Sequence, residues 1–277
     1  MSAEHARGGW VSQLLWYLPV FLILAFFAFP LVWIVMTALK PPIDVFAYPP
    51  KFAFAPTLDN YRRVLESDYM GSLANSVIVA LVSAVFSVVL GTLTAYGFSR
   101  YQLRGGDNLL FWILSLRMLP VIAVIVPYFL LFQRVGLTDT LLALMLVYSV
   151  FNISFTVWLL KGFFDEVPRE MEEAAKMDGY GPWGVFTRVA LPLVIPGIAT
   201  ALVFNVIQSI NEFLLAFVLT QRKATTAPIA LLNFLTPMGL DWGGISAAAS
   251  MLVAPVIVLA ILVRKHLIRG MSFGQLE

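Results

Sequence analysis

The chain has 277 residues, of which 60% are hydrophobic and only 12% charged, whereas soluble domains carry roughly 25% charged residues. With a mean hydropathy of +0.87 and its ionisable residues gathered between long apolar runs, it cannot cover itself with polar surface, which excludes a water-soluble globule. A net charge of +2 without a basic, aromatic-interleaved patch points away from nucleic acid, and the lack of cysteine excludes disulfides, thiolate metal sites and cysteine nucleophiles.

Taken in chain order, apolar stretches near the roughly 20 residues that cross a bilayer predict six spans: Leu14 to Met36, Leu73 to Phe98, Leu109 to Phe132, Leu141 to Leu160, Leu193 to Leu219 and Ile245 to Val263. Residues 1–13 form a polar N-terminal segment. The first span is too long for the apolar core of a signal peptide and reads as a retained helix. His5 and His266 lie near opposite ends of the chain and do not make a converging metal site. Placing both termini in the cytoplasm puts Arg7, Arg100, Arg104, Lys161, Arg169, Lys176, Arg188, Arg264, Lys265 and Arg269 inside, with Lys40, Lys51, Arg62, Arg63, Arg134, Arg222 and Lys223 outside, a modest bias in the expected direction. Residues 37–72 and 220–244 then form external loops of a single transmembrane domain, 14–277.

In the second span Ser76, Ala80, Ser83, Ser87, Gly91 and Thr94 recur every three or four residues, a small-residue seam suited to helix packing. Arg117 in the third span and Glu212 in the fifth are charges inside apolar helices, which tend to face a cavity or a partner. They either line a water-filled path or pair with each other structurally. Tyr148, Asn152 and Thr156 share one face of the fourth span, and Asn205, Gln208, Ser209 and Glu212 share one face of the fifth, with Asn211 beside them. Such amide, hydroxyl and aromatic groups suit a neutral polyhydroxylated solute.

The stretch from Asp165 to Leu193 predicts two short cytoplasmic helices. Pro168 sits at a first-turn position, with Glu170, Glu172 and Glu173 near the positive end of the helix dipole. Gly179 suits a left-handed stop, Gly181-Pro182 starts the second helix, and Pro192 is positioned to open the fifth span.

Glu173-Ala174-Ala175, then Gly179, then Val189-Ala190-Leu191-Pro192 match the spacing of the EAA signature, and the chain thereby resembles the permeases of ABC importers. Val189 replaces the usual isoleucine. The resemblance implies an all-α integral membrane protein with six transmembrane helices and a cytoplasmic coupling helix, the type I ABC importer permease fold, with the coupling loop at 161–192. It assigns Glu173, Ala174, Ala175, Asp178, Gly179, Leu191 and Pro192 to coupling with an ATPase. It implies as partners a second related permease, an ATPase dimer that holds ATP and Mg²⁺, and an external solute-binding protein. The chain itself has no GxxxxGK[ST] phosphate loop and is expected to bind no cofactor and break no bond.

The segment Asn211-Glu212-Phe213-Leu214-Leu215, the long external loop after the first span and the ending Arg269-Gly270-Met271-Ser272-Phe273-Gly274 are similar to the maltose-type carbohydrate permeases of the inner membrane. Gln275-Leu276-Glu277 departs from the basic tail of many members. The expected function is alternating-access import of a sugar, oligosaccharide or polyol, with Arg117, Tyr148, Asn152, Asn205, Gln208, Ser209, Asn211 and Glu212 along the path. An importer for an amino acid, peptide or anion is the alternative. A membrane-embedded hydrolase built on Glu212 lacks any HExxH, GxSxG or paired-aspartate motif.

Overall fold

The computed structural model describes residues 10–236 and 239–272, so that His5, Arg7 and the tail from Phe273 lie outside the described residues, as does the side chain of His266. The helices are α1 (Trp10–Leu39), α2 (Pro42–Val45), α3 (Asp59–Glu66), α4 (Tyr69–Arg100), α5 (Gly106–Met118), α6 (Val121–Arg134), α7 (Leu141–Glu166), α8 (Arg169–Met177), α9 (Pro182–Val185), α10 (Leu191–Leu193), α11 (Ile195–Ile210), α12 (Leu214–Leu219), α13 (Ala227–Ala230) and α14 (Trp242–Ser272). A small antiparallel hairpin, β1 (Leu235–Thr236) with β2 (Gly239–Leu240), precedes α14.

Among the described residues four helices are long and apolar enough to cross a membrane, and six spans result when each bent pair counts as one. Two of the expected spans are not continuous. The third is broken into α5 and α6 with a 96° bend, because Pro120 lacks a backbone N–H and pushes Leu119 into an extended conformation, ψ 121°. The fifth is bent by 72° at Val194: α10, which holds Pro192 in its first turn, lies before the bend, and α11, which has Pro196 in its first turn, lies after it. It also ends early, at Ile210, where the Asn211 amide donates to the Ile207 carbonyl and the chain restarts as α12.

The chain divides into two compact units. In the unit formed by residues 1–67 and 234–251, polar side chains finish helix ends. The Asn60 amide of α3 donates to the carbonyls of Ala38 (2.8 Å) and Lys40 (3.0 Å), satisfying acceptors at the end of α1 that have no partner within the helix. Arg63 donates to Asn60 Oδ1 and to Asp241, and Asp241 accepts from the Gly244 N–H at the start of α14. Gly243 is required there: a Cβ would lie 2.7 Å from Asn60 Oδ1. Most of the apolar side chains of α1 from Tyr17 to Val35 are exposed, a surface that only lipid or another apolar chain can cover.

The other unit, residues 68–233 and 252–277, is built on α4, α7 and α11. The small-residue seam of α4 behaves as packing surface: Ser76, Ala80, Ser83, Ser87 and Gly91 are buried, while Thr94 is only half-buried. Ser87 Oγ donates to the Ser83 and Ser149 carbonyls, and Ser83 and Ser209 share a hydrogen bond at 3.3 Å. Apolar layers flank these contacts, one around Leu144, Val147, Leu215 and Leu219, the other around Leu160, Phe164 and Phe186.

In the α6–α7 loop, Asp139 takes a positive φ of 56° and its carboxylate accepts N–H bonds from Gln221, Arg222, Lys223 and Ala224. Burial pushes its pKa up, but those four N–H groups outweigh that and hold it below the ordinary aspartate value. A depressed carboxylate stabilises the fold at pH above its unfolded pKa of about 3.9, and that contribution is lost as pH falls through the lower folded value. Hydrogen exchange of residues 221–224, taken relative to the intrinsic amide rate at each pH, should therefore be slow at neutral pH and accelerate below roughly pH 4. Asp139→Ala should accelerate it roughly tenfold at neutral pH, the scale of one charge-assisted bond of about 1.5 kcal/mol.

Candidate functional site

Six of the eight path candidates line one cavity. Arg117, Tyr148, Asn152, Gln208, Ser209 and Glu212 surround a space of about 220 Å³ together with Val121, Phe151 and Leu215. Helix geometry explains the convergence: Tyr148, Phe151 and Asn152 fall at three- and four-residue spacing on α7, Gln208 and Ser209 lie in the last turn of α11, and Glu212 follows in the break just beyond it. The other two candidates are elsewhere. Asn205 is fully buried and donates to Thr156 Oγ1 at 2.8 Å within the α7–α11 packing, and Asn211 is exposed and bonded to Ile207.

The walls are partly held by each other. Asn152 Nδ2 donates to Ser209 Oγ at 2.9 Å, which ties α7 to α11 beneath the cavity. Glu212 lies in the break between α11 and α12 and accepts the Leu215 N–H at 2.9 Å, so one carboxylate oxygen caps the new helix. Arg117 lays its guanidinium over the Phe155 ring, 4.6 Å from the centroid. None of the ion pairs among the described residues joins Arg117 to Glu212. Tyr148, one of the lining residues, is only 3% exposed, and its buried hydroxyl has no hydrogen-bond partner among the described residues. A buried hydroxyl without a partner is uncommon in folded proteins.

The second candidate region is α8. Its end is a complete Schellman closure: Gly179, at φ 88°, donates to the Lys176 carbonyl, and Tyr180 donates to that of Ala175. A Cβ on Gly179 would meet nothing within 4 Å, so the backbone conformation and not crowding calls for glycine. Glu173, Ala174 and Asp178 are exposed, whereas Ala175 is buried and faces the protein's own interior. Exposed Met177 and Trp183 lie on either side of the turn. Pro192 is exposed and Leu191 packs partly against the layer around Phe186, after a single widened π-helical turn at Phe186–Ala190.

Two residues that matter here, Glu172 and Arg100, were not among the sequence candidates. Glu172, next to the triplet, is buried and bonded to Arg100 and Tyr96 of α4. The acidic run Glu170 to Glu173 does not show which member turns inward; the helical spacing of Glu172 and Ala175 on one face is the available signal.

The chain matches the family model described as binding-protein-dependent transport system inner membrane component over residues 87–273. It is 38% identical to a probable ABC transporter permease protein of Sinorhizobium fredii, with 96% of each chain covered. It is 34% identical to the trehalose transport system permease protein of Mycobacterium tuberculosis, covering 92% of this chain and 94% of the relative. In structure it is similar to a chain of a bacterial ABC transporter involved in the import of the acidic polysaccharide alginate, with a TM-score of 0.76 and 21% identity, covering 95% and 99% of the two chains. With a family match over most of its length, the chain belongs to the inner-membrane permeases of binding-protein-dependent ABC transport systems.

Proposed function

We propose that this permease forms one wall of the path by which an ATP-driven importer moves a saccharide into the cell. The observation that carries the reading is the cavity whose polar groups come from α5, α7, α11 and the break after α11, with Tyr148, whose buried hydroxyl has no partner among the described residues, in its wall. Tyr148, Asn152, Gln208, Ser209 and Glu212 supply both donors and acceptors, which is what a polyol surface requires. A volume of about 220 Å³ is small beside the roughly 300–1,000 Å³ of complete ligand pockets, as suits half a path completed by a second, related permease. The relatives named above as serving trehalose and alginate support a carbohydrate cargo.

In this reading both termini lie in the cytoplasm, and α8 presents Glu173 and Ala174 to a separate ATPase dimer that holds ATP and Mg²⁺. Asp178, Gly179, Leu191 and Pro192 shape the turn and return of that segment, and Ala175 seats it. An external binding protein delivers the solute. Closure of the ATPases displaces the coupling helices, and the spans follow as rigid bodies. Asn205 and Asn211 act as structural groups beside the path.

The test is the ATPase activity of the assembled transporter in lipid, with its binding protein, against trehalose, maltotriose, diacetylchitobiose and alginate oligosaccharides. Stimulation by at least one saccharide is the expected result. Stimulation only by amino acids, peptides or inorganic anions would overturn the carbohydrate assignment.

A further inference from the structure

The helix α8 has nine residues, too few to be stable alone, and only Glu172 and Ala175 of it are buried. Its attachment to the spans therefore depends on side chains. Arg100, the last residue of α4, donates from Nε to Glu172 Oε1 at 2.6 Å, and both side chains are nearly sealed from solvent, at 8% and 4% exposure. Tyr96, one turn earlier on α4, donates its hydroxyl to Glu172 Oε2 at 3.1 Å. The same guanidinium donates to the Val167 carbonyl at 2.9 Å and to Ser99 Oγ at 2.8 Å, so it also grips the linker between α7 and α8. Ser99 Oγ in turn donates to Asp165 of α7, and Arg169 at the start of α8 donates to the Ser99 carbonyl. One guanidinium thus binds the ends of three helices.

We propose that Arg100 and Glu172 are the mechanical joint between the coupling helix and the spans: they touch neither solute nor ATPase, and they fix the angle at which α8 drives α4 and α7. The proposal rests on the reading of α8 as the ATPase contact. A buried ion pair is a weak source of net stability, because desolvation offsets most of the attraction and an apolar pair of similar volume is often as stable. What an apolar replacement lacks is direction. Two carboxylate oxygens held by donors one helical turn apart set the rotation of α8, whereas methyl groups permit it to roll.

The test uses the complete transporter in proteoliposomes, with the saccharide from the panel above that stimulates it. Removing one partner leaves a buried charge unpaired, so Arg100→Met and Glu172→Met alone should reduce the amount assembled. The double variant Arg100→Met with Glu172→Met should restore assembly and ATP hydrolysis while saccharide moved per ATP falls roughly tenfold, within the usual range of coupling free energies. Tyr96→Phe, which removes one bond and no charge, should lower that ratio in the same direction by a factor of about two to three, the scale of one neutral hydrogen bond. Wild-type stoichiometry in the double variant would overturn the proposal. If the double variant does not assemble, an unchanged ratio in Tyr96→Phe overturns it equally. Glu173→Lys separates the two claims: if it leaves ATPase attachment intact, the reading of α8 itself fails, whatever the joint variants do.

Discussion

Replacing Gly91 with leucine should destabilise the protein more than any other single change on α4. A Cβ at this position would lie 2.5 Å from Thr156 Cγ2 and 2.6 Å from Thr156 Cβ, distances that real side chains do not sustain. Both atoms belong to a buried side chain that cannot swing away, because Thr156 Oγ1 donates to the Asn152 carbonyl and accepts from Asn205. The helices must separate, and separation breaks the seam of serines on the same face. Overpacking on this scale costs about 3 kcal/mol, or a fall in Tm of roughly 6–12 °C for a chain of this size. Thermal unfolding in detergent measures it. Gly71→Leu is the control on the same helix, since a Cβ there meets nothing within 4 Å, and it should leave Tm nearly unchanged. Thr156→Ser combined with Gly91→Ala should recover only part of the loss, because serine removes Cγ2 but keeps Cβ.

Tyr148→Phe should have the opposite signature, impairing transport without harming the fold. The hydroxyl has no partner among the described residues, and an unsatisfied buried polar group is destabilising by about 1–3 kcal/mol. Its removal therefore leaves Tm unchanged or raises it. If the hydroxyl bonds a saccharide in transit, the same substitution should raise the KM for uptake roughly tenfold, the effect of losing about 1.4 kcal/mol of binding. Parallel measurement of Tm and uptake KM decides the matter. A lowered Tm with unchanged KM would make Tyr148 a packing residue.

Both predictions depend on contacts that the sequence displays unevenly. Length and hydropathy mark the apolar stretches, four of them single long helices and two of them bent pairs, because about 20 apolar residues leave few other placements in lipid. They do not see that Pro120 splits the third span or that Asn211 ends α11, since neither residue interrupts the apolar average. The turn at Gly179 was legible because a left-handed glycine after a short helix is a local device, complete within a few residues. The Arg100–Glu172 joint and the Asp139 clamp were not, because each partner lies more than 70 residues from the other. Spacing on α7 and α11 identified the polar faces that meet at the cavity. Only the fold separates Asn205, which serves the helix contact, from Gln208, one turn away and open to the cavity.

The central claim is that a saccharide passes this cavity, and the absence of cysteine from the chain makes a direct measurement possible. Gln208→Cys, in a transporter whose other subunits are also free of reactive thiols, places one thiol at the cavity wall. Its rate of modification by a small methanethiosulfonate reagent would be followed during turnover, with and without the saccharide that stimulates the ATPase. Slowing by the transported saccharide, and not by one that fails to stimulate, is the predicted result. A thiol that reacts at the same rate in both cases would place the path elsewhere and contradict the account.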